Sequence, residues 1–234
     1  MGKAARTIVS LILWAVIPGQ AWAGAAEPPL DWQAGVARVD TSPMAPVRMA
    51  GYASRTSLSQ GVAHPLFAKA LALADPNGHK VVIVTCDIIA LRRSLSERVA
   101  KRVESKYGIP RTDLVLFASH THAGPQLVDP DEPLREGLEA NAVYTHELEG
   151  KLVGVVGAAL SEMKPASLTY GVGRAHFALN RREPTPKGIK LGKYPAGPTD
   201  ESVPILRVRG AEGARRWRSC SDTPATTRRS ARTC

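Results

Sequence analysis

Cysteine is scarce in this chain. There are 3 in 234 residues, and two of them, Cys220 and Cys234, lie near the end. No disulfide framework can be read from so few. Cys86, inside the apolar run KVVIVTCD, is expected to be a buried structural thiol. Aromatic residues make up only 5%, and no basic stripe is interleaved with them, which excludes the stacking type of nucleic-acid surface. Acidic residues are in deficit, 21 against 31 Lys and Arg, giving a net charge of +10. That excess is unevenly spread. Residues 215–234 hold six Arg and one Asp, residues 1–26 hold Lys3 and Arg6, and the body between is left at only +3. Long apolar runs are also missing beyond the first two dozen residues, so no later segment is expected to span a bilayer.

The chain is expected to open with a leader. Lys3 and Arg6 precede an apolar run from Ile8 to Ile17, and Ala21-Trp22-Ala23 comes next as a small-x-small step. This is the layout of a secretory signal peptide over residues 1–23, with an uncleaved membrane anchor as the alternative. Export to the periplasm or the exterior is the expected localisation. Residues 24–34, with Pro28 and Pro29, read as a linker.

The remaining chain, with 44% hydrophobic and 22% charged residues, has the composition of a globular protein with a real core. GVARVDTSP (35–43) reads as a short strand and residues 44–65 as a loop. In residues 66–90 two apolar runs flank Pro76-Asn77-Gly78, a β-hairpin signal. The second of these strands is apolar on both faces, as in a covered sheet. Ser94-x-x-Glu97 fits a capping box opening a helix that carries Leu95, Val99 and Val103 and closes at Gly108 and Pro110. LVLFAS (114–119) reads as a buried strand. A helix is expected from about Tyr144 to Met163, strands at 167–173 and 203–210, and a loop over 174–202. Strands and helices alternate, so the fold class is α/β, a mixed β-sheet covered by helices.

Chemistry concentrates where LVLFAS gives way to His120-Thr121-His122. In an α/β sheet, sites form where loops leave the carboxyl ends of strands. In an extended segment, side chains two apart share a face, so both imidazoles can turn to one point. Neutral imidazole suits zinc, but a catalytic zinc takes about three protein ligands, and two histidines in a loop are the plain alternative. Asp87 ends the neighbouring apolar strand. It reads either as a carboxylate orienting a histidine or as an N-terminal helix cap or loop anchor. Arg181, in Asn180-Arg181, is either a group that steadies developing negative charge or a surface cation.

Several stretches taken together resemble the N-terminal domain of the neutral/alkaline (non-lysosomal) ceramidase family. They are GVARVDTSP, Met49-Ala50-Gly51-Tyr52, GVAHPLFAKALAL, VVIVTCDI, LVLFASHTHAGP and the later LNRR, in that order over about residues 34–210. The resemblance implies part of a larger catalytic domain: a zinc-dependent amidase that splits the N-acyl bond of ceramide into fatty acid and sphingosine. It implies His120 as a zinc ligand, His122 as a second active-site histidine and Arg181 as the arginine beside the site. A ceramide-like lipid, met at a membrane surface, is then the expected partner. No nucleic acid and no obligate protein partner are expected.

The resemblance also implies zinc ligands that this chain lacks: a further histidine soon after VPILRVRG, then a Glu and a Tyr. The segment after VPILRVRG is instead rich in Arg, Ser and Thr, without periodicity. Shifted by one base, codons for Trp217 through Thr226 and their neighbours permit VAVLFGYACHNTTLG, which resembles the family strand bearing the next zinc histidine. The expectation is a frameshift near residues 209–216, with 211–234 a disordered basic tail. A natural basic tail is the alternative. Two rival functional readings stand beside the amidase. One is a non-catalytic fragment that binds zinc weakly. The other is a different HxH metallohydrolase, disfavoured because Ala123-Gly124-Pro125 stands where a metallo-β-lactamase has an Asp-His pair, and because the chain is too short for an amidohydrolase barrel.

Overall fold

A computed structural model of the chain describes residues 29–129, 131–211 and the backbone of 217–218. The signal peptide expected over 1–23 lies outside the described residues, as do 24–28 of the linker and all of the tail from 212 on except 217–218.

The strands are β1 (Trp32–Asp40), β2 (Phe67–Ala74), β3 (Lys80–Cys86), β4 (Leu114–Ala118), β5 (Lys164–Arg174), β6 (Arg182–Thr185), β7 (Gly188–Leu191), β8 (Ser202–Gly210) and β9 (Trp217–Arg218). Seven of them form one sheet in the order β4-β3-β2-β1-β5-β8-β9. Only β3 and β4 run parallel, and every other pairing in it is antiparallel. The α/β class with a mixed sheet is as the sequence predicts. The first strand starts earlier than expected, at Trp32, which places the end of the supposed linker inside the sheet. The supposed loop 174–202 contains a separate two-stranded hairpin, β6 with β7.

Both helices, α1 (Arg93–Tyr107) and α2 (Glu139–Ser161), share one core with one face of the sheet. That face is built from Ala68, Ala70 and Ala72 of β2, Val82, Val84 and Cys86 of β3, and Leu114 of β4. The small side chains of β2 let α2 lie close over β1 and β2. The approach is tightest at Gly35, where a Cβ would fall on the carbonyl oxygen of Ala159 and 2.8 Å from the Met163 nitrogen. Among the described residues the opposite face is not covered by a helix. A smaller cluster of Leu73, Ala166 and Val208 forms there. β3 is therefore fully buried on one face only, and β4 is a half-buried edge strand with Phe117 exposed. The sequence shows their apolar character but not which side lacks a partner.

Helix ends differ from the sequence reading in instructive ways. The Ser94/Glu97 capping box does not form. Ser94 donates its hydroxyl hydrogen to Asp129 at 2.7 Å, and Glu97 pairs with Arg93 at 2.8 Å. The N-cap position falls two residues earlier, on Arg92, with no side-chain cap. Its end is as expected, on Gly108 in the left-handed conformation at φ 68°. α2 begins five residues before Tyr144, at Glu139, and buries Asn141 and Tyr144 in its first turns.

A buried carboxylate joins the helices. Glu149 of α2, only 6% exposed, accepts from Arg98 and Arg102 of α1 at 2.9 and 2.8 Å. Burial pushes its pKa up, but the hydrogen bonds and charges of Arg102 and Arg98 outweigh burial and hold it below the usual glutamate value. A carboxyl depressed in the folded state stabilises the fold at neutral pH, and that contribution is lost as pH falls below the unfolded-state glutamate pKa. Glu149→Gln is expected to cost about 1.5–3 kcal/mol at pH 7, the range for hydrogen bonds to charged groups. The cost should shrink in acid. Urea midpoints of both proteins at neutral and acidic pH measure it.

Beyond the Trp32–Ala166 pair, β5 leaves β1 and pairs only with β8, so 167–174 and 202–209 form a ribbon. Tyr170, Val172 and Ile205 on it are exposed, as are Ile189 and Leu191 of the small hairpin. Apolar surface of this kind drives association. The purified chain is expected to self-associate in light scattering after size exclusion, and Tyr170→Ser with Ile189→Lys to shift it toward monomer.

Candidate functional site

β3 and β4 end side by side, with Cys86 opposite Ala118. The chain turns out of the sheet at both places, and the two exits are sewn together by the Ser119 N–H donating to the Cys86 carbonyl at 3.0 Å. Burial, and then the nearby Asp87 charge, push the Cys86 thiol up to about 12, so it stays protonated and inert behind the site.

His120 sits just past this exit at φ 56°, the only non-glycine residue with positive φ among the described residues. Left-handed backbone at a non-glycine residue costs on the order of 1 kcal/mol and concentrates at functional positions. The expectation of an extended His-x-His with both rings on one face is therefore corrected: the segment is kinked at its first histidine. The rings still meet, with centroids 5.3 Å apart and planes at 70°.

Each ring has its own support. Nδ1 of His120 lies 2.7 Å from the carbonyl oxygen of Ile89, in the loop after β3. A proton on Nδ1 donated to that carbonyl leaves the Nε2 lone pair free and aims it outward. His122 packs edge-on to Tyr52 at 5.0 Å. Arg55 lies over Tyr52 at 5.0 Å and donates to the carbonyls of Ala50 and His122, each at 3.1 Å. Gly51, at φ 103°, is the only kind of residue that fits here, since a Cβ would come within 2.5 Å of the His122 ring. The loop carrying Gly51 is itself fixed by buried Asn141 of α2, which binds Arg48 N–H at 2.9 Å, Arg48 carbonyl at 2.9 Å and Gln126 carbonyl at 2.8 Å. A cleft of about 480 Å³ is lined by Met49, Tyr52, Arg55, Ile89 and Arg92 among others, residues that support the histidines, but neither ring lines it.

Asp87 is in place but turned elsewhere. Its Oδ2 accepts the Phe67 N–H at 3.0 Å, tying the end of β3 to the start of β2. The partner of the His120 ring is the Ile89 carbonyl and not this carboxylate. Arg181 is not joined to the histidines by any hydrogen bond, ion pair or ring contact among the described residues. It precedes β6, its carbonyl accepts from Gly192 at 3.1 Å, and its loop leaves the ladder at the end of β5 that runs away from β1. Arg55, Asn141 and the Ile89 carbonyl were not legible in the sequence. None lies on an apolar period or in a metal-ligand spacing.

The histidines fit a zinc ion in kind but not in number. His120 has Nδ1 engaged by the Ile89 carbonyl and Nε2 open. Among the described residues no group of three His, Cys, Asp or Glu gathers to hold a metal, whereas a catalytic zinc takes about three protein donors.

A sequence model of the neutral/alkaline non-lysosomal ceramidase N-terminal region matches residues 32–185. The chain belongs to this family. Neutral ceramidase 2 of Arabidopsis thaliana is 35% identical over 87 residues, covering 36% of this chain and 12% of that protein. A neutral ceramidase of Drosophila melanogaster is 29% identical over 97 residues, 40% of this chain and 14% of that protein. The crystal structure of neutral ceramidase from Pseudomonas aeruginosa shares the fold, with a TM-score of 0.62, 22% identity and coverage of 81% of this chain and 31% of that one. This ceramidase-family chain thus spans a small part of the length of its relatives. Among its described residues no helix is long and apolar enough to cross a membrane.

Proposed function

We propose that this chain carries the histidine half of a zinc-dependent hydrolase that cleaves the N-acyl amide of ceramide or a related lipid. The observation that supports the reading most is His120. It is held in a left-handed backbone conformation, with Nδ1 engaged by a carbonyl and Nε2 open, next to a second histidine. Zinc, when bound there, supplies a Lewis acid that polarises an amide carbonyl and acidifies water. His120 is the ligand in this chain. His122, oriented by Tyr52, Gly51 and Arg55, is placed to take a proton and return it to the leaving amine. Arg181 is the proposed further contact to developing negative charge. The donors that complete the metal site lie outside the described residues. The shifted reading of the tail, with its histidine, supplies one of them. Export behind the leader is part of the proposal, and the ceramidase family supports a lipid substrate.

The absence of a three-donor group among the described residues favours a second reading for the chain as it stands: weak zinc binding and no turnover. Both readings are tested by assaying fatty-acid release from a short-chain ceramide with this chain and with a protein whose frame is restored near residues 209–216. The restored protein is expected to be active, and His120→Ala to lower kcat/KM by roughly a thousandfold, about 4 kcal/mol of barrier. Full activity in the His120→Ala protein would remove His120 from the mechanism.

A further inference from the structure

We propose that the groove between α1 and α2 is a binding site for a phosphate-type oxyanion, a site separate from the histidines and independent of the amidase reading. Arg98, Lys101, Arg102 and Ser105 recur at the i, i+3, i+4, i+7 spacing that puts side chains on one helix face. Lys106 extends the same face. Together with Glu149 they line a groove of about 630 Å³.

Four cations face a single carboxylate, and that carboxylate is used up. Glu149 receives Arg98 at Oε2 and Arg102 at Oε1, each at 2.8 Å. Arg98 uses Nε and Nη2 for this, and Arg102 uses Nη1. Each guanidinium keeps N–H donors directed away from Glu149, and its side chain remains 40% or 50% exposed. The buried carboxylate therefore acts as a jig. It fixes two planar, permanently charged forks at the groove floor before any ligand arrives, which removes much of the ordering cost of binding. Lys106 is held over the Tyr107 ring at 5.3 Å, and Lys101 and the Ser105 hydroxyl complete a mixed set of charged and neutral donors. The acidic residues of α1 do not compete. Glu97 is paired with Arg93 at 2.8 Å, and Glu104, three residues on from Lys101, is not among the residues that line the groove. Such a donor set matches the several acceptor oxygens and double charge of a phosphate group.

A phosphate group reaches such a site either as a free ion or small metabolite, or as the head group of an anionic lipid. Titration of the full chain with inorganic phosphate at constant ionic strength, followed by calorimetry or amide shifts, tests the site. Saturable binding is expected with Kd on the order of 1 mM or tighter. Lys101→Glu with Lys106→Glu leaves the Glu149 clamp intact and is expected to weaken binding at least tenfold. Lys187→Glu with Lys193→Glu, the same charge change far along the chain, should leave it unaltered. Vesicles of neutral phosphatidylcholine with and without phosphatidic acid then separate the sources. Phosphate-competed binding to the acidic vesicles alone assigns a lipid head group, and phosphate binding without vesicle binding assigns a soluble ligand. Non-saturable binding, or equal losses in the two double variants, would overturn the proposal.

Discussion

Gly51→Ala in the frame-restored protein is expected to lower amide hydrolysis by roughly a hundredfold, the scale on which a 1 Å misplacement of a catalytic group acts. Two effects coincide at this position. The backbone φ of 103° is one that L-residues rarely adopt, and the new Cβ would stand 2.5 Å from Cγ and 2.6 Å from Nδ1 of His122. The Tyr52 and Arg55 contacts that hold His122 lie on the same loop, so relief of the clash must move either the ring or its support. Because the damage passes through His122, it should not add to that of His122→Ala. A double-mutant cycle on kcat/KM is expected to show the double variant no worse than His122→Ala alone. Additive losses would mean that Gly51 acts elsewhere. The melting temperature separates this from unfolding, since the Gly51 loop is exposed and its strain should not unseat the core.

The second large effect is on stability. Gly35→Ala adds one methyl group where β1 and the end of α2 touch backbone to backbone. The methyl would collide with the Ala159 carbonyl and crowd Met163 N and Glu162 C. All three neighbours are backbone atoms that cannot swing away, so α2 must lift from the sheet. Overpacking of a tight core costs about 1–3 kcal/mol, occasionally more, and an upper-end loss of about 3 kcal/mol is expected here. Chemical denaturation measures it directly. Gly154→Ala, on the exposed side of α2 with nothing within 4 Å, is the control. It should be neutral or stabilising by up to about 1 kcal/mol, the helix-propensity difference.

Neither glycine's tight contact could be read from the sequence, whereas local turn chemistry could. The hairpin around Pro76-Asn77-Gly78 was legible because its signal is local, and the structure pairs Phe67–Ala74 with Lys80–Cys86 across it. The Gly108 stop was legible for the same reason. The Ser94/Glu97 box was not reliable, because two tertiary partners, Asp129 and Arg93, claimed its side chains. The hairpin within 174–202 was hidden because its strands are only four residues long and largely exposed, and the one alternating pair, Ile189 and Leu191, is too short to read as a strand. At the site, the His-x-His pair announced itself by residue type. Its support did not, because Ile89 acts through a carbonyl that any residue possesses. Asn141 acts from within a helix, where a buried amide leaves no periodic mark. Asp87 was found at the right strand end, yet only coordinates show that its carboxylate faces Phe67 N–H.

The central claim is that His120 ligates zinc through Nε2. Zinc-edge X-ray absorption on the frame-restored protein and on its His120→Ala variant tests it most directly, with zinc stoichiometry measured on the same samples. The expected result is one zinc per chain with imidazole scattering at the usual Zn–N distance of about 2.0–2.1 Å, and loss of one imidazole together with weakened binding in the variant. An unchanged spectrum and stoichiometry in His120→Ala, or no stoichiometric zinc in either protein, would contradict it.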